Sequence, residues 1–325
     1  MTAVLSAPPA AATEEGGLLL TVAGVEEAAP GIRTVTLRRP GGGLLPAYPP
    51  GSHLVLSCGD RRNAYSLTGE GMAAPEYRIS VLLCPDGDGG SAFVHALQVG
   101  DAVVAAGPRS AFAPVSTARH HLLVAGGIGV TPMLSHARAA ARWGRSFELF
   151  YGHRPGAGAH RAELADVCGP RLRAFEQAAG LLDALGAALA DQPMGTHVYV
   201  CGPAPLIAFV EETAAGLGWP GDRVHAERFS AADLDPGEPF VARLARSGGR
   251  VPVPAGVSLL AALEAAGVAV PSMCRQGVCG ECRLTVTAGR PLHRDLYLSE
   301  PEHASGDAVM CCVSRSLDDE LELDL

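Results

Sequence analysis

The stretch PSMCRQGVCGECRLTV, residues 271–286, narrows the fold of this chain more than any other feature. Cys274, Cys279 and Cys282 stand there at the spacing C-x4-C-x2-C, and the next cysteines are Cys311 and Cys312. Zinc sites are usually written as two C-x2-C pairs, or one pair followed by histidines at helical spacing. Three thiols in one loop with a distant fourth is instead plant-type [2Fe–2S] spacing. Two bridged irons need four thiolates, and the loop must wrap close enough for backbone N–H groups to reach the electron-rich sulfurs. Gly277 and Gly280 lack the Cβ that would block this approach. The fourth ligand is left between Cys311 and Cys312.

Composition limits what else the chain can be. With 325 residues, 48% of them hydrophobic, it can bury a core in each of two or three domains. A net charge of −9 argues against the clustered Lys and Arg that nucleic-acid phosphates require. There is no apolar run of membrane-spanning length and no basic lead into an apolar segment, so we expect a cytoplasmic protein with no membrane partner. The nine cysteines, five of them within the last 52 residues, fit a metal site in a reducing compartment better than a disulfide framework.

Along the chain, residues 1–15 are rich in Ala, Pro and Thr without period, a disordered lead-in. Residues 16–118 carry short β-like runs (LLLTV, IRTVTL, SHLVLSC, YRISVLL) between Gly/Pro turns, which predicts an antiparallel β-barrel. Residues 119–229 alternate strand and helix: HLLVAG with TPMLSHARAAARW, FELFYG with HRAELADV, HVYVCG with APLIAFVEETAAGLG. That is the pattern of an α/β parallel sheet with crossover helices. Residues 230–239, SAADLDPGEP, read as a linker. Residues 240–325 follow with a hairpin turning at Gly248-Gly249, a helix between Ser258 and Gly267, the cysteine loop, and an acidic tail predicted to be a last strand with a charged outer face.

Several motifs carry chemistry. In RNAYSL a strand presents alternating side chains. DGGSAFVHAL places a Gly-rich turn, Gly89-Gly90-Ser91, at the start of a helix, where an anion would sit. AGGIGVTPM follows a buried strand and opens a helix, so Gly126, Gly127 and Gly129 let the backbone approach a pyrophosphate. Pro132 stands where the dinucleotide fingerprint G-x-G-x-x-G would have its third glycine, which points away from ordinary dehydrogenases. VYVCGP puts Cys201 at the C-terminal end of a strand, where open parallel sheets bind ligands. HRDLYLSE, residues 293–300, begins like a protein-kinase catalytic loop, but no other kinase motif accompanies it.

In this order, RNAYSL, GGIGVTPM, CGP, ERF and the cysteine loop resemble the phthalate dioxygenase reductase and vanillate O-demethylase reductase family, across about residues 17–325. The resemblance implies a multidomain chain: an FMN-binding antiparallel barrel, an NAD-binding α/β domain and a C-terminal β-grasp ferredoxin domain. It implies that Arg62, Ala64, Tyr65, Ser66 and Leu67 contact the flavin, with Gly89, Gly90 and Ser91 at its phosphate. It implies that Gly126, Gly127, Gly129, Thr131, Pro132, Arg154, Cys201, Gly202 and Pro203 hold the nucleotide, and that Phe229 covers the flavin ring with Glu227 close by. Ser66, Cys201, Glu227 and Phe229 are then the catalytic candidates. The C-x-S-R context of the family's last ligand is met by Cys312-Val313-Ser314-Arg315, which makes Cys312 the fourth cluster ligand beside Cys274, Cys279 and Cys282. The family often has an arginine where Asp88 stands here, which leaves FAD as an alternative to FMN. Arg154 without a dense basic cluster favours NADH over NADPH.

Nicotinamides give electrons in pairs and an iron–sulfur cluster takes them singly, so a flavin must stand between them. The expected function is an NADH-dependent reductase, monomeric, passing electrons to the terminal component of a multicomponent oxygenase, with a Rieske oxygenase favoured as acceptor. The alternatives are a cytochrome P450 or other haem enzyme as acceptor, or a partner-independent NADH oxidase or ferric reductase. A zinc-stapled binding protein is the reading from outside the enzymes, and a visible spectrum separates it from the rest.

Overall fold

In the computed structural model, residues 17–325 are described except 60, 86, 88, 111, 230–235, 273, 274, 276, 278, 279 and 296. The lead-in, Asp88, most of the expected linker, and the ligand candidates Cys274 and Cys279 therefore lie outside the described residues.

The first sheet is antiparallel and contains β1 (Leu18–Ala29), β2 (Ile32–Arg38), β3 (His53–Cys58), β4 (Arg61–Ser66), β5 (Glu76–Leu82) and β6 (Ala102–Arg109), in the order β4-β3-β6-β1-β2-β5. Alternation explains its core, since Leu20 and Val22 of β1, Val35 and Leu37 of β2, and Tyr77 and Ile79 of β5 are all buried. The two edges meet where Leu67, just past β4, bridges to Ile79 of β5, so the sheet closes as a barrel. A short helix, α1 (Gly90–Ala96), follows β5, with His95 bonded to the Val81 carbonyl at 2.9 Å.

The second sheet is parallel throughout: β7 (His120–Gly126), β8 (Phe147–Gly152), β9 (Leu172–Phe175), β10 (Thr196–Cys201) and β11 (Val224–Glu227), in the order β11-β10-β7-β8-β9. The helices α2 (Val130–Arg142), α3 (Arg161–Cys168), α4 (Ala178–Ala190) and α5 (Ala204–Gly216) make the crossovers. β7, buried almost throughout, has the near-continuous apolar sequence expected of a strand covered on both faces. After β9 the chain returns to the other side of β7, so the strand order reverses between β7 and β10. That reversal leaves a crevice at their C-terminal ends.

The third region holds β12 (Phe240–Leu244), β13 (Arg250–Val253), α6 (Leu259–Ala265), β14 (Arg283–Ala288), β15 (Pro291–Leu292), α7 (Glu300–Ser305), β16 (Ala308–Met310), β17 (Arg315–Ser316) and β18 (Glu320–Leu323). Its main sheet runs β13-β12-β18-β14-β16. Ser258 caps α6 by accepting from Ala261 N at 3.1 Å. The acidic tail is the central strand β18: Leu321 and Leu323 are fully buried, while Glu320 pairs with Arg250 and Glu322 with Arg243.

Candidate functional site

The crevice between β7 and β10 is a cleft of about 800 Å³. Its floor is made by glycines packed against one another. A Cβ at Gly129 would overlap the Cys201 carbonyl, and one at Gly126 would strike the Pro203 ring. These two glycines let the loops after β7 and β10 close together, while Gly127, at φ +54° with nothing near its missing Cβ, faces the open cleft. Thr131 and Pro132 are placed differently from the open glycine. Both are buried, and the Thr131 hydroxyl donates to the Ile128 carbonyl at 3.0 Å, so they shape the turn from within.

Gly202, Pro203, Arg154 and Phe229 line the cleft together with His153, Glu176 and Gln177, which sequence reasoning did not single out. His153 has a buried Nε2 without a hydrogen-bond partner among the described residues. Glu176 and Gln177 follow β9, a four-residue strand whose exposed Arg173 hides the pattern. Cys201 is wholly buried, and burial holds its thiol well above the usual range, with the neighbouring Glu227 carboxyl adding to the shift. Glu227 stands in register with Cys201 across β10 and β11. Its carboxyl is fully buried with Oε2 unpartnered among the described residues, and burial pushes it up to about 8, so at neutral pH it carries a proton.

In the barrel, Ser66 is buried and in register with His53 of β3. His53 was not among the candidates that the sequence motifs supplied. Only 3% of it is exposed, Nε2 has no partner among the described residues, and burial, with Arg109 secondary, lowers it to about 4. Tyr65 and Ala64 are half-buried and Arg62 is exposed, whereas the Leu67 side chain lies in the barrel core, so only its backbone can face a ligand. At the turn into α1, Gly89 is open at φ +93°, and Gly90 has no room for a Cβ because the Asn63 carboxamide lies against it. The Ser91 hydroxyl is engaged with the Cys84 backbone, accepting from its N–H at 3.0 Å.

Strand register builds the thiol site. Arg283 of β14 pairs with Met310 of β16, which brings Cys282 and the Cys311-Cys312 pair to the same end of the ladder. The thiols of Cys311 and Cys312 lie against the Cys282 sulfur and draw its ionisation down, while Cys311 is driven up. All three are buried. Gly277 and Gly280 take φ of +73° and +83°; a Cβ on the first would strike Val313 and on the second the Tyr297 ring. Three buried sulfurs in contact, with two loop glycines, Gly277 and Gly280, where no side chain fits, match what an iron–sulfur cluster asks of its ligands. Glu227, in register with Cys201, and His53, in register with Ser66, each bury a polar atom without a hydrogen-bond partner among the described residues, which suits a polar ring system.

Among the described residues no helix is long and apolar enough to cross a membrane. Comparison with known proteins agrees with this geometry. Residues 102–224 match the family model of the dimethylamine monooxygenase subunit DmmA-like N-terminal domain, and residues 242–316 match that of the 2Fe-2S iron-sulfur cluster binding domain. The heme-dependent oxidative N-demethylase beta subunit of Ectopseudomonas mendocina is 42% identical over 94% of this chain and 97% of its own length. Phthalate dioxygenase reductase of Burkholderia cepacia is 37% identical over 96% of this chain and 98% of its own. A solved phthalate dioxygenase reductase, described as a modular structure for electron transfer from pyridine nucleotides to [2Fe-2S], superposes with a TM-score of 0.70 at 36% identity, covering 96% of this chain and 99% of that one. With its antiparallel barrel, its parallel sheet opening at a switch point and its buried thiols, the chain belongs to the phthalate dioxygenase reductase family of oxidoreductases.

Proposed function

We propose that this protein is the NADH-dependent reductase component of a multicomponent oxygenase, drawing electron pairs at the cleft after β7 and β10 and releasing single electrons at the thiols of the third region. The observation that carries the reading is the coexistence in one chain of the glycine-packed cleft and the buried sulfurs of Cys282 and Cys312. When bound, a flavin supplies the chemistry that joins hydride transfer to one-electron transfer. FMN is the proposed flavin, with FAD the alternative, and one [2Fe–2S] cluster is held by Cys274, Cys279, Cys282 and Cys312.

The chain's own residues do the positioning. Gly127 offers unobstructed backbone to a pyrophosphate, and Phe229 walls the cleft on the barrel side, where Leu82 of β5 also lines it. Ser66 and His53 present polar atoms at one end of the barrel, and protonated Glu227 can donate a hydrogen bond from the β11 side. Glu176 is a carboxylate beside the cleft, which suits a ribose hydroxyl and opposes a 2′-phosphate, hence NADH over NADPH. Division near residues 118 and 230–239 into barrel, nucleotide domain and ferredoxin domain is part of the proposal, as is a monomeric chain in the cytoplasm.

The proposed acceptor is a Rieske oxygenase, supported by the phthalate dioxygenase reductase relatives. A second reading, a haem-dependent oxygenase, is favoured by the 42% identity to a subunit of a heme-dependent N-demethylase. The test is to reconstitute the purified reductase separately with one oxygenase of each type and follow NADH-dependent product formation, with the released flavin identified by mass. Product with neither partner, beside full NADH oxidation in air, would replace both with a self-sufficient oxidase.

A further inference from the structure

Away from the cleft, two half-buried imidazoles around a buried carboxylate have the composition of a cation site. Asp295 has a fully buried side chain, and its carboxylate is fixed from three sides: Oδ2 accepts from Leu298 N at 2.8 Å and Tyr297 N at 3.2 Å, and Oδ1 accepts from the Ser314 hydroxyl at 3.0 Å. Two imidazoles face it. His303 of α7 brings Nε2 to 3.4 Å from Oδ2, and His293, just past β15, brings Nδ1 to 3.7 Å from Oδ1. The three donor atoms lie within 4.8 Å of one another, and the two rings stack with centroids 4.3 Å apart.

His293 is the informative member. Its side chain is only 11% exposed, yet neither ring nitrogen has a hydrogen-bond partner among the described residues. Leaving such a group buried and unsatisfied is costly, and a ligand that accepts its lone pair removes the cost. We infer that His293, Asp295 and His303 bind a divalent first-row cation of the zinc class, as a site separate from the cysteines. Two imidazoles and one carboxylate are a donor set such ions take, and with the imidazole nitrogens 3.4 and 3.7 Å from the carboxylate oxygens, one ring has to turn out of the stack for all three donors to converge at about 2.0–2.2 Å on one ion. The hydrogen bonds to Asp295 supply the outer contacts that orient a metal-binding carboxylate.

The position gives the ion a task. The Asp295 backbone lies where a side chain at Gly277 would go, and the Tyr297 ring lies over Gly280, so these two residues cover the two described glycines of the cysteine loop. An ion held by His303 on α7 and by Asp295 fastens the backbone beside Gly277 to the helix. The inference rests on these side chains and not on the identity of the electron acceptor.

The test uses the full-length holoprotein, loaded with Zn²⁺ buffered by nitrilotriacetate, desalted, and analysed for metals. The expected result is one zinc per chain with iron content and visible spectrum unchanged, only nitrogen and oxygen neighbours in zinc-edge X-ray absorption, and slower bleaching of the cluster in air. His303→Ala and, independently, His293→Gln should keep the spectrum and weaken zinc retention at least tenfold. The inference is overturned if the wild-type protein retains no zinc, if zinc enters at the expense of iron or shows sulfur neighbours, or if variants with intact clusters retain zinc as well as wild type does.

Discussion

Among the described residues, the barrel and the nucleotide sheet share a hydrophobic core that the third region does not enter. Ile32 and Phe112 of the barrel side share one hydrophobic cluster with Leu123, Met133, Tyr151 and Tyr199 of the nucleotide side. Polar bonds add to this contact: the Arg138 guanidinium donates to the Thr68 carbonyl at 2.7 Å, the Ser135 hydroxyl to Gly69, and Val115 N to the Tyr199 hydroxyl at 2.8 Å. The core of the third region, by contrast, is drawn wholly from residues 240–323. A hydride step tolerates little misalignment, so its two halves gain from a shared core, whereas one-electron transfer tolerates a separable carrier. Barrel and nucleotide sheet thus form a pair with a shared core, and the third region has a core of its own.

The most severe way to break this comparison is to remove the third region. A chain ending at Phe229 should fold, bind flavin and oxidise NADH with ferricyanide within about twofold of the full protein, because the shared core is intact. Oxygenase-coupled turnover should fall at least about 100-fold for want of the one-electron exit. Undiminished coupled turnover would show that electrons leave from the flavin, and loss of NADH oxidation would show that the third region takes part in the hydride step.

Within the third region, Cys311 and Cys312 both touch Cys282, so register alone does not separate them. Cys312→Ser should abolish the cluster's visible absorption, and Cys311→Ser should leave it, with iron and sulfide near two each per chain. The reverse pattern would move the fourth ligand to Cys311.

These contrasts also explain what was legible in the sequence. The cysteine loop and GGIGVTPM were readable because each needs fixed residue types at fixed spacing. Their glycines, however, divide into those that let loops touch, Gly126 and Gly129, and one that faces the cleft, Gly127, and only tertiary contact reveals this. The unit β9–α4 was missed. Leu172–Phe175 is short with an exposed centre, and Ala178–Ala190 is an Ala, Leu and Gly run whose buried Leu181, Leu185 and Leu189 stand at helical spacing among other small apolar residues. With it went Glu176 and Gln177 in the cleft wall. His53 was not singled out, and the burial and open hydrogen-bonding capacity of Glu227 were not readable from ERF, because a buried polar atom without a partner becomes visible only when its surroundings are known.

Glu176 sharpens the paired half of the comparison. A carboxylate next to a ribose repels a 2′-phosphate by about 1 kcal/mol or more at close range in water. Glu176→Gln should therefore shift the NADPH to NADH ratio of kcat/KM roughly tenfold toward NADPH. An unchanged ratio would mean that the ribose lies elsewhere in the cleft.

The smallest expected effect concerns the fastening between the paired halves. Glu163 of α3 collects His160 at 3.2 Å, Arg78 of β5 at 3.0 Å and Arg138 of α2 at 3.0 Å. His160 in turn bonds the Ser80 hydroxyl at 2.8 Å, and Ser80 bonds Thr34 at 2.8 Å, so the chain of contacts runs into the barrel wall. His160 itself adopts φ +58°, a left-handed conformation uncommon for a residue with a Cβ, and these bonds hold it there. The His160 bond, then Arg78 and Arg138, lower the Glu163 carboxyl to about 2 against the opposing effect of burial. A carboxyl with a depressed folded-state pKa contributes stability above its unfolded value near 4.5, and that contribution disappears as pH falls toward 2. Since about a third of the Glu163 side chain is exposed, solvent screening reduces the contribution to about 1–2 kcal/mol at pH 7. Glu163→Gln should lose this much in urea unfolding at pH 7 and progressively less below pH 4, and flavin reduction by NADH should slow with it if the fastening aligns the two halves. A stability deficit that stays constant from pH 7 to pH 3 would assign the loss to packing, and an unchanged rate of flavin reduction would leave alignment to the shared apolar core alone.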